Sequence, residues 1–260
     1  MTLHEPDEEA RQAISSTLAD FASNTLEWVQ RESELVTDTP AVPEIDVDFD
    51  GRHALVVAQG VDHREDLAAL KRSGYLRELK PVLVGVDAGA DALIEIGLRP
   101  DVIIGAFASV SDAALRSGAV LVVHAFPGGH APGAARLDAL GVRYTTFESV
   151  GTSEDLALLL AHQRGAELIV AVGIPSSMEE FLDKGQAGMA STFLVRLRVG
   201  AILVDAKGVS RLYRPVVRTF DIGALVVAMV LALGSVMLMS KPIQLWFRSL
   251  WLLVRSAVGR

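Results

Sequence analysis

The sequence predicts an α/β fold: a doubly wound, mostly parallel sheet, with a long helix before it and a transmembrane helix after it. Seven apolar runs of strand length, rich in Val, Ile and Leu, recur along the middle of the chain, and helical patterns separate several of them. Continuous apolar strands are typical of parallel sheets covered on both faces, and right-handed crossovers place the helices there. The third observation is an uncharged apolar run near the C-terminus.

These patterns predict the elements of one domain at residues 51–213. Strands are expected at 53–59, 81–86, 102–104, 119–125, 142–147, 168–172 and 201–204. Helices are expected between them at 62–74, 88–97, 133–140, 153–164 and 177–199. In such a sheet, ligands bind beyond the carboxyl ends of the strands.

Composition and charge exclude several classes of protein. The chain has 260 residues and no cysteine, which rules out a disulfide scaffold, a cysteine-ligated zinc site and a cysteine nucleophile. Residues 1–206 carry 31 acidic and 16 basic side chains, whereas residues 207–260 carry one acid and eight bases. Because binding to phosphates needs clustered cations, the acidic body argues against a nucleic-acid partner.

The uncharged run at 222–239 predicts a transmembrane helix at 219–241. Its only polar side chain is Ser235, and as a helix it is about 27 Å long, close to the thickness of the bilayer core. The alternative is a buried helix of a soluble core, which the basic residues on both sides disfavour.

Residues 242–260 predict an amphipathic helix at the membrane interface. Arg248 and Arg255 are seven residues apart and share one helical face, and Trp246 and Trp251 suit the headgroup region. Four basic residues lie on each side of the predicted span, so loop charge does not decide the orientation. Because the N-terminus has no apolar signal-peptide core, we expect a single-pass protein of the cell membrane whose N-terminal domain is cytoplasmic.

Residues 1–50 predict an N-terminal helix and an acidic linker. The helix is expected at 8–36, which has no Gly or Pro, and the linker at 37–50. A heptad seam runs through the helix and is interrupted at Thr25 and Glu32. The apolar members of the seam are Ile14, Leu18, Phe21, Trp28 and Leu35. Two interpretations stay open: the seam makes a homodimer or binds a partner, or the helix lies on its own domain.

Two helix starts at the carboxyl ends of strands carry candidate chemistry. Backbone N–H groups after Asp87 are candidates for holding a phosphate at a helix N-terminus, although Asp87 would equally serve as an N-cap. Glu154 or Asp155 would bind a metal–nucleotide complex. Alternatively, Thr152 and Asp155 form a capping box with Asp as the third helical residue, and the spacing alone favours the capping box.

Residues 85–109, with Asp87-Ala-Gly-Ala, Pro100-Asp and Gly105-Ala-Phe-Ala-Ser, resemble the catalytic half of thiamine pyrophosphokinases. The resemblance is closer to SteA-like proteins, the cytokinetic ring proteins of actinobacteria. Four stretches carry it, at 61–67, 149–158, 179–194 and 200–213, and the apolar run follows them. SteA-like proteins usually have a further N-terminal domain, so this chain is expected to be a short form.

The resemblance implies a set of site residues. Nucleotide-binding candidates are Asp87, Gly89, Ala90, Gly105, Ser109, Thr152, Ser153 and Asp155, and metal candidates are Asp87, Glu154 and Asp155. It implies ATP and Mg²⁺ as cofactors if the site binds, and a membrane with a small membrane protein of the SteB type as partners.

Departures from the family pattern point to a degenerate site. The kinase loop has two metal-binding aspartates where this chain has Ala106 and Ala108, and Ala88 replaces a glycine. Mg²⁺ needs hard oxygen ligands, and phosphoryl transfer depends on the metal. We therefore expect no catalytic residue and a membrane-anchored scaffold of the cell-division machinery. The alternative is an ATP- and Mg²⁺-dependent thiamine diphosphokinase-like enzyme or a nucleotide sensor.

Overall fold

The computed structural model describes Ser23 and residues 41–175, 186–213 and 219–239, together with residues 245, 249, 251, 252 and 255. The chain divides into two compact units, Met1–Arg214 and Pro215–Arg260. The first unit contains the sheet.

The sheet has seven parallel strands, and the predicted α/β class is confirmed. The strands are β1 His53–Val57, β2 Val82–Val86, β3 Val102–Gly105, β4 Val120–Ala125, β5 Thr145–Glu148, β6 Leu168–Val172 and β7 Leu203–Asp205. Their order is β5-β4-β3-β2-β1-β6-β7, and every neighbouring pair is parallel. All seven predicted strands form, because the five inner strands combine high β-propensity with burial on both faces, whereas the edge strands β5 and β7 are only partly buried.

Helices connect the strands. They are α1 His63–Ser73, α2 Tyr75–Leu79, α3 Gly89–Glu95, α4 Asp112–Leu115, α5 Ala134–Leu140, α6 Ser153–Gln163, α7 Gln186–Val199, α8 Ala206–Leu212 and α9 Thr219–Met239. The predicted helices are confirmed, the one at 177–199 over its described part. Helices α2, α4 and α8 were not predicted. Helices α2 and α4 have five and four residues, too few to show a helical period.

The helices cover both faces of the sheet. Helices α6 and α7 pack on one face, where Leu156 and Val195 belong to one apolar cluster. Helices α1 to α5 and α8 pack on the other face. The chain winds from β1 to β5 in one direction, then returns to β6 on the far side of β1. This is the doubly wound topology, and all the loops after the strands lie at one edge of the sheet.

The described part of the predicted linker, residues 41–50, requires a correction. It has no regular secondary structure, as expected, but it is packed onto the sheet rather than free. Ile45 and Phe49 are buried in the cluster around α6, and Arg164 donates a hydrogen bond to the carbonyl of Ile45 at 2.7 Å. The segment packs on the sheet because every second or third residue in it is apolar. Its prolines and acidic residues alone do not show this.

The second unit contains α9, whose described side chains are those of residues 223–235. The apolar ones are exposed, including Leu225, Val230 and Leu233. In the described part of the chain, no helix has both the length and the apolarity needed to cross a bilayer. The predicted span therefore stays a prediction.

Two other predictions fall largely outside the described residues. In the predicted interfacial helix, the Arg255 guanidinium lies 5.1 Å from the ring centre of Trp251. The remainder of 242–260, including Trp246 and Arg248, lies outside the described residues, as does the whole seam from Ile14 to Leu35. Both helices remain predictions.

Candidate functional site

The loops after β2, β3, β4 and β5 meet at the carboxyl edge of the sheet and bring most of the predicted site residues together. Asp87 directly follows β2 in a left-handed conformation (φ 45°), and its N–H donates to the carbonyl of Ile104 at the end of β3. This turn directs the Asp87 side chain toward the loop after β3.

The Asp87 carboxylate is held by that loop. It accepts the N–H of Phe107 at 2.8 Å and also a hydrogen bond from the N–H of Ala106. A Cβ at Gly105 would collide with the carboxylate, so glycine is required there. Burial raises the pKa of Asp87, and the two N–H groups oppose that rise. The N-cap alternative for Asp87 is wrong, because the helix begins after Ala88 and its cap has no side-chain hydrogen bond.

The loop itself is braced from three sides. Phe107 is fully buried in a left-handed conformation (φ 58°) and fills the cluster beneath α4 and α5. The guanidinium of Arg136 donates to the carbonyls of Phe107 and Val110 and to Asp112, the last two at 2.7 and 2.6 Å. Ser111 donates through its N–H and its hydroxyl to Asp91. The loop at 105–109 is thus held by the protein's own groups.

Two of the nucleotide candidates, Gly89 and Ala90, lie at the first turn of α3. Gly89 and Ala90 are buried, and a Cβ at Gly89 would collide with the carbonyl of Val57. The N–H groups of Ala90 and Asp91 donate to the carbonyls of Asp87 and Ala88 at 3.1 Å each. These two amides are therefore already hydrogen-bonded within the turn. The remaining candidate of the neighbouring loop, Ser109, is exposed.

The start of α6 forms the capping box that the spacing favours. The Thr152 hydroxyl accepts the N–H of Asp155 at 3.3 Å, and the Asp155 carboxylate accepts the N–H of Thr152 at 2.9 Å. The same carboxylate oxygen accepts hydrogen bonds from the hydroxyls of Ser191 and Thr192 on α7, at 2.9 and 3.2 Å. Asp155 thus joins α6 to α7 in the interior.

Burial dominates the chemistry of Asp155. Its side chain is 1% exposed, and its second oxygen, Oδ1, has no hydrogen-bond partner among the described residues. Burial raises its pKa, and the hydrogen bonds from Thr152, Ser191 and Thr192 oppose the rise. Burial therefore favours the neutral carboxyl over the carboxylate at this position.

We expect Asp155→Asn to remove a pH dependence of stability. Because the folded pKa lies above the unfolded pKa, about 4, the folded state holds the extra proton between the two values. The contribution of this proton to the free energy of unfolding is full below pH 4. It falls as the pH rises through the folded pKa, by up to about 1.4 kcal/mol per pH unit. Urea unfolding at a series of pH values measures this slope. Asp155→Asn should make this slope smaller, whereas Glu167→Gln, which changes an exposed carboxylate, should leave it unchanged. Equal slopes in the natural chain and both variants would show that Asp155 does not cause the pH dependence.

His124 is a site residue that the sequence analysis missed. It is buried at the end of β4, and its Nδ1 lies 3.3 Å from the Ser153 hydroxyl, while its Nε2 lies 3.1 Å from the Ser149 carbonyl. Ser153 in turn donates to Asp87, and the charge of Glu154 acts on Asp87 as well. His124 lies within strand β4. The pattern of a strand does not show that one of its side chains contacts the loop after a neighbouring strand.

These residues do not fit the Mg²⁺–nucleotide complex that the kinase resemblance implies. Methyl groups stand at positions 106 and 108, and the carboxylates of Asp87 and Asp155 are committed to backbone N–H groups and hydroxyls. Across the described residues, no three His, Asp or Glu side chains converge as a metal-binding group. Among the described residues, the groups at this edge are thus held by hydrogen bonds within the protein.

Comparison with known proteins gives a family match for one region. A crystal structure of thiamine pyrophosphokinase from Bacillus subtilis is similar over 59% of this chain and 60% of its own, with 20% identity and a TM-score of 0.36. The chain thus spans less than two thirds of that protein. A search of curated proteins finds no match. Residues 207–258 match the model of the SteA-like C-terminal domain, so the predicted resemblance to SteA-like proteins is confirmed.

Proposed function

We propose that this protein is a membrane-anchored scaffold of the cell-division machinery, and that its α/β domain performs no phosphoryl transfer. One observation carries the second part: the loop at 105–109 has lost both carboxylates and wraps around Asp87. The resemblance to SteA-like proteins supports the first part. A homodimer, and a small membrane partner of the SteB type, belong to the same proposal.

The loss of catalysis follows from charge. Phosphoryl transfer is catalysed by positioning and by metal and cationic groups that neutralise charge on the phosphate oxygens. At this edge, Arg136 is the cation next to the loop, and its guanidinium is occupied by two carbonyls and Asp112. Meanwhile the carboxylates of Asp87 and Glu154 add negative charge at this edge. A triphosphate would be repelled here unless a metal were bound first.

The membrane anchor is supported by the C-terminal unit. Residues 222–239 carry no charge, and the described apolar side chains of α9 are exposed to solvent. Such a surface is costly in water and is covered by lipid or by another protein. The proposal assigns it to the cell membrane, with the N-terminal domain in the cytoplasm.

We expect the full chain in detergent to show no Mg²⁺-dependent binding of ATP or ADP at micromolar concentrations. Isothermal titration calorimetry with and without Mg²⁺ measures this. Mg²⁺-dependent binding, or pyrophosphorylation of thiamine that Asp87→Asn abolishes, would contradict the proposal and favour the enzyme or sensor.

A gain-of-ligand variant makes the negative result interpretable. Ala106→Asp with Ala108→Asp restores both carboxylates beside Asp87, so Mg²⁺ should raise the melting temperature of this variant and leave the natural chain unchanged. Ala113→Asp, which adds an exposed carboxylate on α4, should show no Mg²⁺ effect. If Mg²⁺ raises the melting temperature of the natural chain by the same amount, the proposed loss of the metal site is wrong.

A further inference from the structure

The sheet of the α/β domain ends in two strands that have a neighbour on one side only, β5 and β7. Edge strands present unpaired N–H and C=O groups, and proline, lysine, a bulge or a covering segment usually protects them. Strand β7 has three residues, and the Asp205 carboxylate at its end accepts the N–H of Lys207 and caps α8. Strand β5 is longer, pairs with β4 without a bulge, and contains no proline or lysine. The β5 edge is therefore the more open one for a further strand.

Alternate residues of β5 direct their backbone groups toward this open edge. The Ser149 N–H donates to the carbonyl of Ala125 on β4 at 3.0 Å, and in this register the odd-numbered residues of β5 face β4 with their backbone groups. The N–H and C=O groups of Tyr144, Thr146 and Glu148 then point away from the sheet. They form no hydrogen bond with any described residue, and the Thr146 side chain is exposed.

The free groups are spaced symmetrically about Thr146. If two copies of β5 pair antiparallel with Thr146 opposite its own counterpart, Tyr144 of each copy lies opposite Glu148 of the other. Each hydrogen-bonded antiparallel pair exchanges two N–H···O bonds, so this register forms about six of them. A two-fold axis perpendicular to the sheet generates the arrangement, so the interface is isologous and needs only one surface.

Charge favours the antiparallel arrangement over a parallel one. The start of β5 is basic, because Arg116 and Arg143 are exposed and line the same cleft there. The other end is acidic, with the exposed Glu148 at the end of the strand and Glu154 in the first turn of α6. A two-fold axis places the basic end of each strand beside the acidic end of the other, whereas a parallel pair would bring like charges together.

We propose that the α/β domain pairs with a second copy of itself along β5, so that the two sheets join into one continuous sheet. The inference rests on the homodimer of the proposed function and assigns it to a surface of the α/β domain. Because the paired strands run antiparallel, the carboxyl edges of the two copies point in opposite directions. The scaffold would then present two equivalent sets of loops, one at each end of the joined sheet.

Engineered cysteines test the register in the full chain, which has no natural cysteine. The Cα atoms of a hydrogen-bonded antiparallel pair are about 5.5 Å apart, within the range of a disulfide, so Thr146→Cys should cross-link two chains on oxidation in detergent. Glu148→Cys is the matched control on the same edge. Its two copies would be about 14 Å apart along the strands and should cross-link at most about one fifth as much. Equal cross-linking at the two positions, or none at position 146, would overturn the register.

A mixture of two tagged variants gives the positive counterpart of that control. Chains with Tyr144→Cys should cross-link to chains with Glu148→Cys, because these two positions lie opposite each other in the proposed register. The hetero-dimer is detected by its two tags on a non-reducing gel. If Glu148→Cys cross-links to itself more than to Tyr144→Cys, the register is wrong.

Substitutions at Thr146 test the contribution of the edge to dimerisation. Thr146→Pro removes the outward N–H and no hydrogen bond of the chain's own sheet, so it should raise the dissociation constant of the dimer at least about tenfold. Thr146→Lys keeps the backbone and places two like charges opposite each other, and it should weaken the dimer as well. Thr146→Val keeps the N–H and the β-propensity and should dimerise like the natural chain. Sedimentation equilibrium in detergent measures the constants, and circular dichroism checks that each variant is folded.

The outcomes separate this inference from the proposed function. If the folded Pro or Lys variant dimerises as strongly as the natural chain, or if Thr146→Val loses the dimer equally, the β5 edge is not the contact. A natural chain that stays monomeric at every concentration would overturn the homodimer of the proposed function and this inference with it. A dimer that persists without the cross-link at position 146 would overturn this inference alone and would assign the homodimer to another surface.

Discussion

Phe107→Ala should destabilise the α/β domain by about 3–5 kcal/mol, the loss typical of removing a buried phenyl ring. Phe107 is fully buried and occupies the cluster beneath α4 and α5. Its N–H donates to Asp87 and its carbonyl accepts from Arg136, so losing the ring loosens the brace of the whole loop. Urea denaturation of the full chain in detergent, monitored by circular dichroism, measures the change.

Phe126→Ala is the matched control for this experiment. Phe126 is an aromatic residue in the next loop along the same edge, but its side chain is 42% exposed. Its removal should cost less than about 1 kcal/mol, as is usual for a surface substitution away from the core. If both variants lose the same free energy, the loop at 105–109 is not held by Phe107, and the closed form of the candidate site is wrong.

The contrast between these two phenylalanines shows where prediction from sequence ends. Gly105-Ala-Phe-Ala-Ser109 consists of small residues apart from Phe107, and the sequence offers no reason to bury this aromatic ring. The ring is buried because Asp87 turns toward the loop and Arg136 clamps it from α5. Arg136 is 29 residues from Phe107, and no local pattern links two positions so far apart.

Local signals, in contrast, predicted well. The strands follow from runs of β-branched residues, and the capping box at Thr152 and Asp155 follows from a spacing of three. What the spacing could not predict is the second role of Asp155, its bonds to Ser191 and Thr192 some 36 residues later. Most of the candidate residues lie at the carboxyl edge, as their positions after the strands imply, but the hydrogen bonds that hold them join elements that are distant in the sequence.

Deleting residues 219–260 should move the protein from the membrane fraction to the soluble fraction. This segment contains α9 and most of residues 207–258, which match the model of the SteA-like C-terminal domain. The α/β unit ends at Arg214, and the apolar clusters described for it, including Val209 and Tyr213 of the α8 segment, lie wholly before residue 219. Flotation of cell membranes on a density gradient, with detection of the protein by immunoblot, measures the distribution.

A pair of substitutions tests the same anchor in the full-length chain. Val227→Asp with Val230→Asp places two charges on α9, where the natural side chains are 58% and 61% exposed. A charge at the centre of a membrane helix costs about 2.5–3.5 kcal/mol, so two should weaken insertion at least a thousandfold. Val227→Leu with Val230→Leu keeps the surface apolar and should float like the natural protein. If the charged variant floats while the deletion does not, the anchor lies in residues 242–260; if both float, a protein partner or another segment holds the chain to the membrane.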